Sequence, residues 1–210
     1  MSENPGMSEP LLTPSSLPRL RGEEAFEGVA ATVLDFWRWA LGDLRMNNAR
    51  GYVAEFLVAR AVGSTDPVRI EWGSHDVTAA DNTRIEVKSS AYLQSWGQRK
   101  PSSPRFSVSG PTEIWDERTA TWAPPANGRV DVWVFCLQTC TTHELYDPLA
   151  VSQWRFWTLP DSTVTDLEQK TAVLSTIQRL AGDGNGWSDL RAAVTTTASH
   201  QRRLQSSGPH

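Results

Sequence analysis

The 210-residue chain has two cysteines, four histidines and no surplus of positive charge. Its longest apolar runs reach about eight residues, far short of the roughly 20 needed to cross a bilayer, so no membrane span is expected. The first twenty residues hold Ser, Glu, Pro and Gly in place of the basic start and apolar run of a secretory signal, which predicts a cytoplasmic protein. Cys136 and Cys140 lie four apart beside an apolar run, and a reducing compartment gives no reason to pair them. A zinc site there would need His143 and a fourth ligand at an uncharacteristic spacing. A net charge of -4 argues against a protein that coats nucleic acid non-specifically, since such binding depends on many Lys and Arg contacts to phosphate. No internal repeat is evident.

What is present is an ordinary globular composition, 39% hydrophobic and 21% charged, enough for one well-buried core and short for two. Residues 1–20 carry four prolines among Ser and Glu and read as a flexible arm, 21–200 as a single domain and 201–210 as a loose tail. The charge is uneven. Residues 1–44 sum to -4 and the remainder to zero, and within the remainder residues 84–105 hold Arg84, Lys88, Arg99, Lys100 and Arg105 against Glu86 alone.

Apolar residues at steps of three and four predict an amphipathic helix over 23–44, and a second helix over 49–62 ends at Gly63. The period then changes to two. Residues 68–72 read as a strand, and 76–80 with 83–89 as a hairpin around Asp81 and Asn82. Residues 97–129 read as a long connection with short strands near Phe106 and 113–115. Residues 130–137 read as a strand buried on both faces, 154–159 as another strand, and 165–197 as helical with a break at the glycines 182, 184 and 186.

Alternation along Ile85-Glu86-Val87-Lys88 sends Ile85 and Val87 to one face and Glu86 and Lys88 to the other. With Asp76 on the preceding strand, two carboxylates and an ammonium converge. Carboxylates that close repel unless a cation sits between them, and magnesium, which prefers oxygen ligands and keeps waters, is the natural one. An ion held by Asp76 and Glu86 would polarise a phosphate and acidify a bound water, while Lys88 would orient that water and offset growing negative charge. The parity of the turn matters. A two-residue loop pairs Val77 with Glu86, whereas a three-residue loop pairs Thr78 with Glu86 and Asp76 with Lys88, so one face requires three residues or a bulge.

The acidic residue opening one strand and the Glu-x-Lys triplet on the next resemble the PD-(D/E)XK, or restriction-endonuclease-like, nuclease superfamily. His75 stands where that family often has proline. The order of helix, three strands, buried strand and helix over about 45–181 is also similar. The resemblance implies an α/β fold with a restriction-endonuclease-like core, a central mixed β-sheet flanked by helices, here with an added N-terminal helix. It implies a magnesium-dependent deoxyribonuclease, with manganese able to substitute, of a family that serves in defence against foreign DNA or in DNA repair. Asp76, Glu86, Lys88 and Glu55 would be catalytic, with Asp76, Glu86 and Val87 as metal ligands. The competing class is an inactive version of the same fold that binds nucleic acid or protein. A homodimer or an activating partner protein is compatible with either.

Glu55 has its own argument: it lies on an apolar helix where an unpaired charge is costly, so it needs Lys88 or a metal-bound water, or else a salt bridge to Arg69 or Arg84. Glu-x-Lys arises by chance about once in such a chain. Pro160-Asp161 followed by Glu168-Gln169-Lys170 is a literal rival, but Thr165 and Glu168 have capping-box spacing, which places the triplet at a helix start. Most tryptophans, Trp37 and Trp133 among them, read as core. Trp96 is the exception, and the expected DNA-binding segment runs from Tyr92 to Arg105 with Gln94, Trp96, Arg99, Lys100 and Arg105 as its contacts.

Overall fold

A computed structural model describes residues 12, 18–66, 68–69, 71, 73–110, 113–116, 119, 121–124 and 130–206. Most of the expected N-terminal arm and the last four residues lie outside these. The chain divides into two compact units, one of residues 1–42 with 116–121 and one of 43–115 with 122–210.

Among its described residues the first unit holds one helix, α1 (Val33–Leu41). This is shorter than the 23–44 expected, for a local reason. Gly28, at φ 75°, turns the chain back, so that Ala25 bridges Thr32. Thr32 then caps the helix, accepting from the Asp35 N–H while the Asp35 carboxylate accepts from the Thr32 N–H. Of the α1 residues only Val33 is buried, and Trp37, expected in a core, is exposed.

The second unit opens with α2 (Asn47–Val62), stopped where expected: Gly63 is left-handed at φ 68° and its N–H bonds the Ala59 carbonyl. Residues 68, 69 and 71 lie in no strand, where a strand over 68–72 was expected; positions 70 and 72 lie outside the described residues. The strands are β1 (Val77–Thr78), β2 (Arg84–Ala91), β3 (Arg105–Ser107), β4 (Ile114–Asp116), β5 (Thr121–Ala123), β6 (Val132–Gln138), β7 (Trp154–Pro160) and β8 (Thr171–Val173). The later helices are α3 (Asp161–Thr165), α4 (Leu174–Ala181) and α5 (Leu190–Ser206). The last reaches six residues into the segment expected to be a loose tail.

The protein is mixed α/β, with a central mixed sheet flanked by helices. Its order is β1-β2-β6-β7, with β2 parallel to β6 and the other pairs antiparallel. Every residue of β6 is buried, as an interior strand covered on both faces requires. On one face α2 and α5 pack over Ile85, Val87, Val132, Val134, Cys136 and Phe156. On the other, Phe106, Trp133, Phe135, Trp157, Leu159 and Ile177 form a second core. β3 pairs with β8, and β4 with β5, outside the central sheet. No helix among the described residues is long and apolar enough to cross a membrane.

Candidate functional site

The β1–β2 hairpin decides whether the charged residues meet. Ala79 donates to the Thr83 carbonyl, which closes a three-residue loop of Ala80, Asp81 and Asn82. Asn82 takes the left-handed conformation at φ 65°, and the Asp81 carboxylate accepts from the Thr83 N–H. Arg202 of α5 steadies this loop, donating to the Thr83 hydroxyl at 2.9 Å. The ladder pairs Val77 with Ile85 and Thr78 with Arg84, two residues away from the three-residue register expected. A two-residue shift preserves parity. Carried one step beyond β1, it sets Asp76 opposite Glu86 and not opposite Lys88.

Ile85 and Val87 lie in the helix-covered core, and Glu86 and Lys88 alternate to the other face beside Trp133 and Phe135 of β6. The Lys88 Nζ donates to Glu86 Oε1 at 2.6 Å and lies 5.6 Å from the Trp133 ring centre. Glu86 is only 4% exposed. Its carboxylate is kept in the sheet by the lysine that folds over it.

Asp76 does two things at once. β1 is two residues long, and just before it begins Asp76 Oδ2 accepts from the Val87 N–H at 2.7 Å, a side chain standing in for the missing strand. Burial, and then the Glu86 carboxylate, push the Asp76 carboxyl up to about 6; the Val87 N–H and Lys88 pull the other way, and Glu55 adds to the rise. At neutral pH the group is therefore still largely ionised, but under strain from its neighbour.

Glu55 meets the alternative expected for it. Arg69 Nε donates to its Oε2 at 2.6 Å, and the same guanidinium stands 5.0 Å from the Tyr52 ring centre. Arg84 pairs elsewhere, with Asp131. The helix carrying Glu55 is apolar but not buried on every side: Tyr52 and Phe56 open to solvent.

Asp76, Glu86 and Lys88 line one cleft of about 320 Å³, together with Glu71, His75, Trp115 and Trp122. Trp115 and Trp122 meet edge to face at 5.7 Å between β4 and β5. Sequence reasoning missed both, because nothing in their spacing ties a distant hairpin to Asp76. The His75 ring is bracketed by the Ser74 and Thr78 hydroxyls, each at 2.9 Å.

None of Gln94, Trp96, Arg99, Lys100 and Arg105 lines this cleft or its neighbour. Gln94, offered as a DNA contact, is buried, its amide bonded to the Ala91 carbonyl and the Ser102 hydroxyl. Trp96, Arg99, Lys100 and Arg105 are exposed, beyond the end of the site. The rival triplet is no helix start: α3 ends at Thr165, Glu168 is left-handed at φ 49°, and Lys170 precedes β8. Asp161 accepts from the Trp133 indole at 2.8 Å.

Among the described residues no group of three or more His, Cys, Asp and Glu side chains is placed to hold a metal. Asp76 and Glu86 could share an ion only if water completed its shell, which is the habit of magnesium. The raised Asp76 carboxyl fits that demand, because a cation between the two acids would relieve their repulsion. Cys136 and Cys140 are both free, the first buried.

No family model matches the chain, and no curated protein matches it. Among solved structures, the bacterial homing endonuclease I-Ssp6803I aligns over 60% of this chain and 76% of its own, at 16% sequence identity and a TM-score of 0.34. A likeness that loose establishes neither ancestry nor activity for the protein.

Proposed function

We propose that the protein is a metal-dependent nuclease that hydrolyses DNA phosphodiester bonds, with Asp76, Glu86 and Lys88 at its centre. The observation that carries this reading is the convergence of two carboxylates and one ammonium on one face of the central sheet, in one open cleft. A magnesium ion, or manganese in its place, held by Asp76, Glu86 and the main-chain oxygen of Val87 would supply Lewis acidity toward the phosphate and a more acidic bound water. The chain's own residues do the rest. Lys88, held at 2.6 Å by Glu86, stands ready to swing from that carboxylate toward a phosphate oxygen and offset its growing charge. Asp76 is fixed by the Val87 N–H, so its second oxygen is oriented without loss of side-chain freedom on binding. Glu55 acts one step out, through the Arg69 guanidinium. Membership of the PD-(D/E)XK superfamily, and service in defence or repair, follow from the same residues as proposals.

A second reading has its own support. Lys88 with Glu86, Asp76 with Val87 and Glu55 with Arg69 are each satisfied inside the protein, as a purely structural cluster would be. On that reading the chain is a nucleic-acid-binding or protein-interaction module. The deciding experiment incubates purified protein with plasmid and linear DNA in magnesium, manganese or chelator. Cleavage that needs the metal and disappears in Lys88→Ala supports the nuclease; intact DNA under every condition leaves the module.

A further inference from the structure

Beside the carboxylate cleft lies a larger one, of about 530 Å³, between α2 and a wall that includes Ser64, Val68, Arg69, Gly73 and His75. The two are continuous in their lining: Gly73, His75 and Asp76 border both. Its α2 wall carries Tyr52 and Phe56, four residues apart and therefore on one helical face, 42% and 62% exposed. Large aromatic rings left open on a helix that buries seven of its sixteen residues are not needed by the core. Arg69, locked to Glu55 and laid against the Tyr52 ring, stiffens this wall.

The charges say what the cleft can accept. Glu55, Asp66 and Asp76 oppose Arg60 and Arg69 along its border, so a phosphate would meet more repulsion than attraction. A flat, neutral group with an aromatic face and N–H donors suits it, stacking on Phe56 while a carboxylate accepts from its edge. A nucleobase has that chemistry. A base inside a duplex is already stacked on both faces and cannot offer one to Phe56, whereas an unpaired base can be turned out of the stack at least cost.

We infer that the cleft beside Asp76 receives an unpaired nucleobase of the strand whose phosphate lies at Glu86 and Lys88, so that the substrate class is DNA with an unpaired nucleotide next to the cut. This rests on the nuclease reading above. The Asp76 border sets the spacing: the phosphate goes to the side with Lys88, and the adjoining base goes to the side with Phe56.

The test uses the full chain and three DNAs carrying 2-aminopurine: a single strand, a duplex with the fluorophore fully paired, and a duplex with it as an unpaired bulge. Binding is followed by fluorescence with calcium in place of magnesium. The expected result is quenching on the single strand and the bulge but not on the paired duplex, with affinity for the first two falling roughly tenfold in Phe56→Ala and returning in Phe56→Trp. Tyr52→Ala is the second variant, and unchanged melting temperatures confirm that each is folded. Equal affinity for all three DNAs, or loss of none of it in either alanine variant, overturns the inference, as does failure to bind any DNA. The same proteins are then given magnesium. Cleavage without Phe56-dependent quenching removes the base site and leaves the nuclease; Phe56-dependent quenching without cleavage in any divalent metal leaves a base-binding site and removes the nuclease.

Discussion

Strand β2 carries one acid–base pair at its start and another at its middle, and the two are built to different ends. At its start, Arg84 meets Asp131 through its main-chain N–H, its Nε and its Nη2, at 2.8, 3.1 and 2.8 Å. Burial pushes the Asp131 carboxyl up, but the guanidinium and that N–H more than offset it and hold it below the usual carboxylate range. Further along, Lys88 must serve Glu86 with Asp76 close by, and Asp76 is driven up to about 6. One carboxylate matched by a planar fork is a structural joint. Two carboxylates beside the Lys88 ammonium form a site that gains from a cation.

The sharpest break in that comparison is Lys88→Ala. Loss of a charge-stabilising group at the phosphate is expected to lower the cleavage rate by about 10²-fold or more, read from initial rates on plasmid DNA in magnesium. Next is Asp131→Ala, which leaves the Arg84 main-chain N–H and guanidinium without their carboxylate and should cost about 3 kcal/mol in chemical denaturation. Cleavage per folded molecule should not change, since Asp131 touches no part of the cleft.

Asp76→Asn works in the opposite direction on stability. Between the ordinary aspartate range and about pH 6, the folded protein keeps a proton at Asp76 that the unfolded chain has already released. Stability therefore falls as pH rises through that window and stays reduced above it. Asn removes the penalty while still accepting from the Val87 N–H, so the variant should be about 2 kcal/mol more stable at pH 7.5 and equal to wild type near pH 3. Denaturation across that pH range checks it. Magnesium should raise the melting temperature of the wild type above pH 6 and leave Asp76→Asn unmoved.

The smallest effect is expected from neutralising Arg99, Lys100 and Arg105 together. Their loop stands outside both clefts, so the slope of log affinity against log salt should shift by less than the about 0.9 per phosphate contact that three true contacts would each contribute. Measurement of DNA affinity across a salt series, in calcium, reads it directly.

Much of this was legible in residues close together in the chain. Gly63 after an apolar helix announced where α2 ends, the apolar run from Val132 announced a strand covered on both faces, and alternation over Ile85 to Lys88 separated core from charge. The first helix was misread because hydrophobic spacing continues through Gly28 and Thr32, where a left-handed turn and a capping pair override it. Gln94 was misread for the opposite reason: its polarity suggested a surface, but its hydrogen bonds come from residues on either side that only the folded loop brings in.

By itself the sequence determined the alternation of β2 and the chemical identity of the three charged residues, because period two and side-chain type are properties of neighbouring positions. The tertiary structure decided their register, their burial and their company. The three-residue loop at Ala80–Asn82 set Asp76 opposite Glu86, the late start of β1 left Asp76 to take the Val87 N–H, and Val68, Arg69 and Gly73 facing α2 opened a second cleft next to it. Each depends on where one segment stops and another arrives, and such meetings are fixed by the loop geometry and packing of the whole unit rather than by any local spacing.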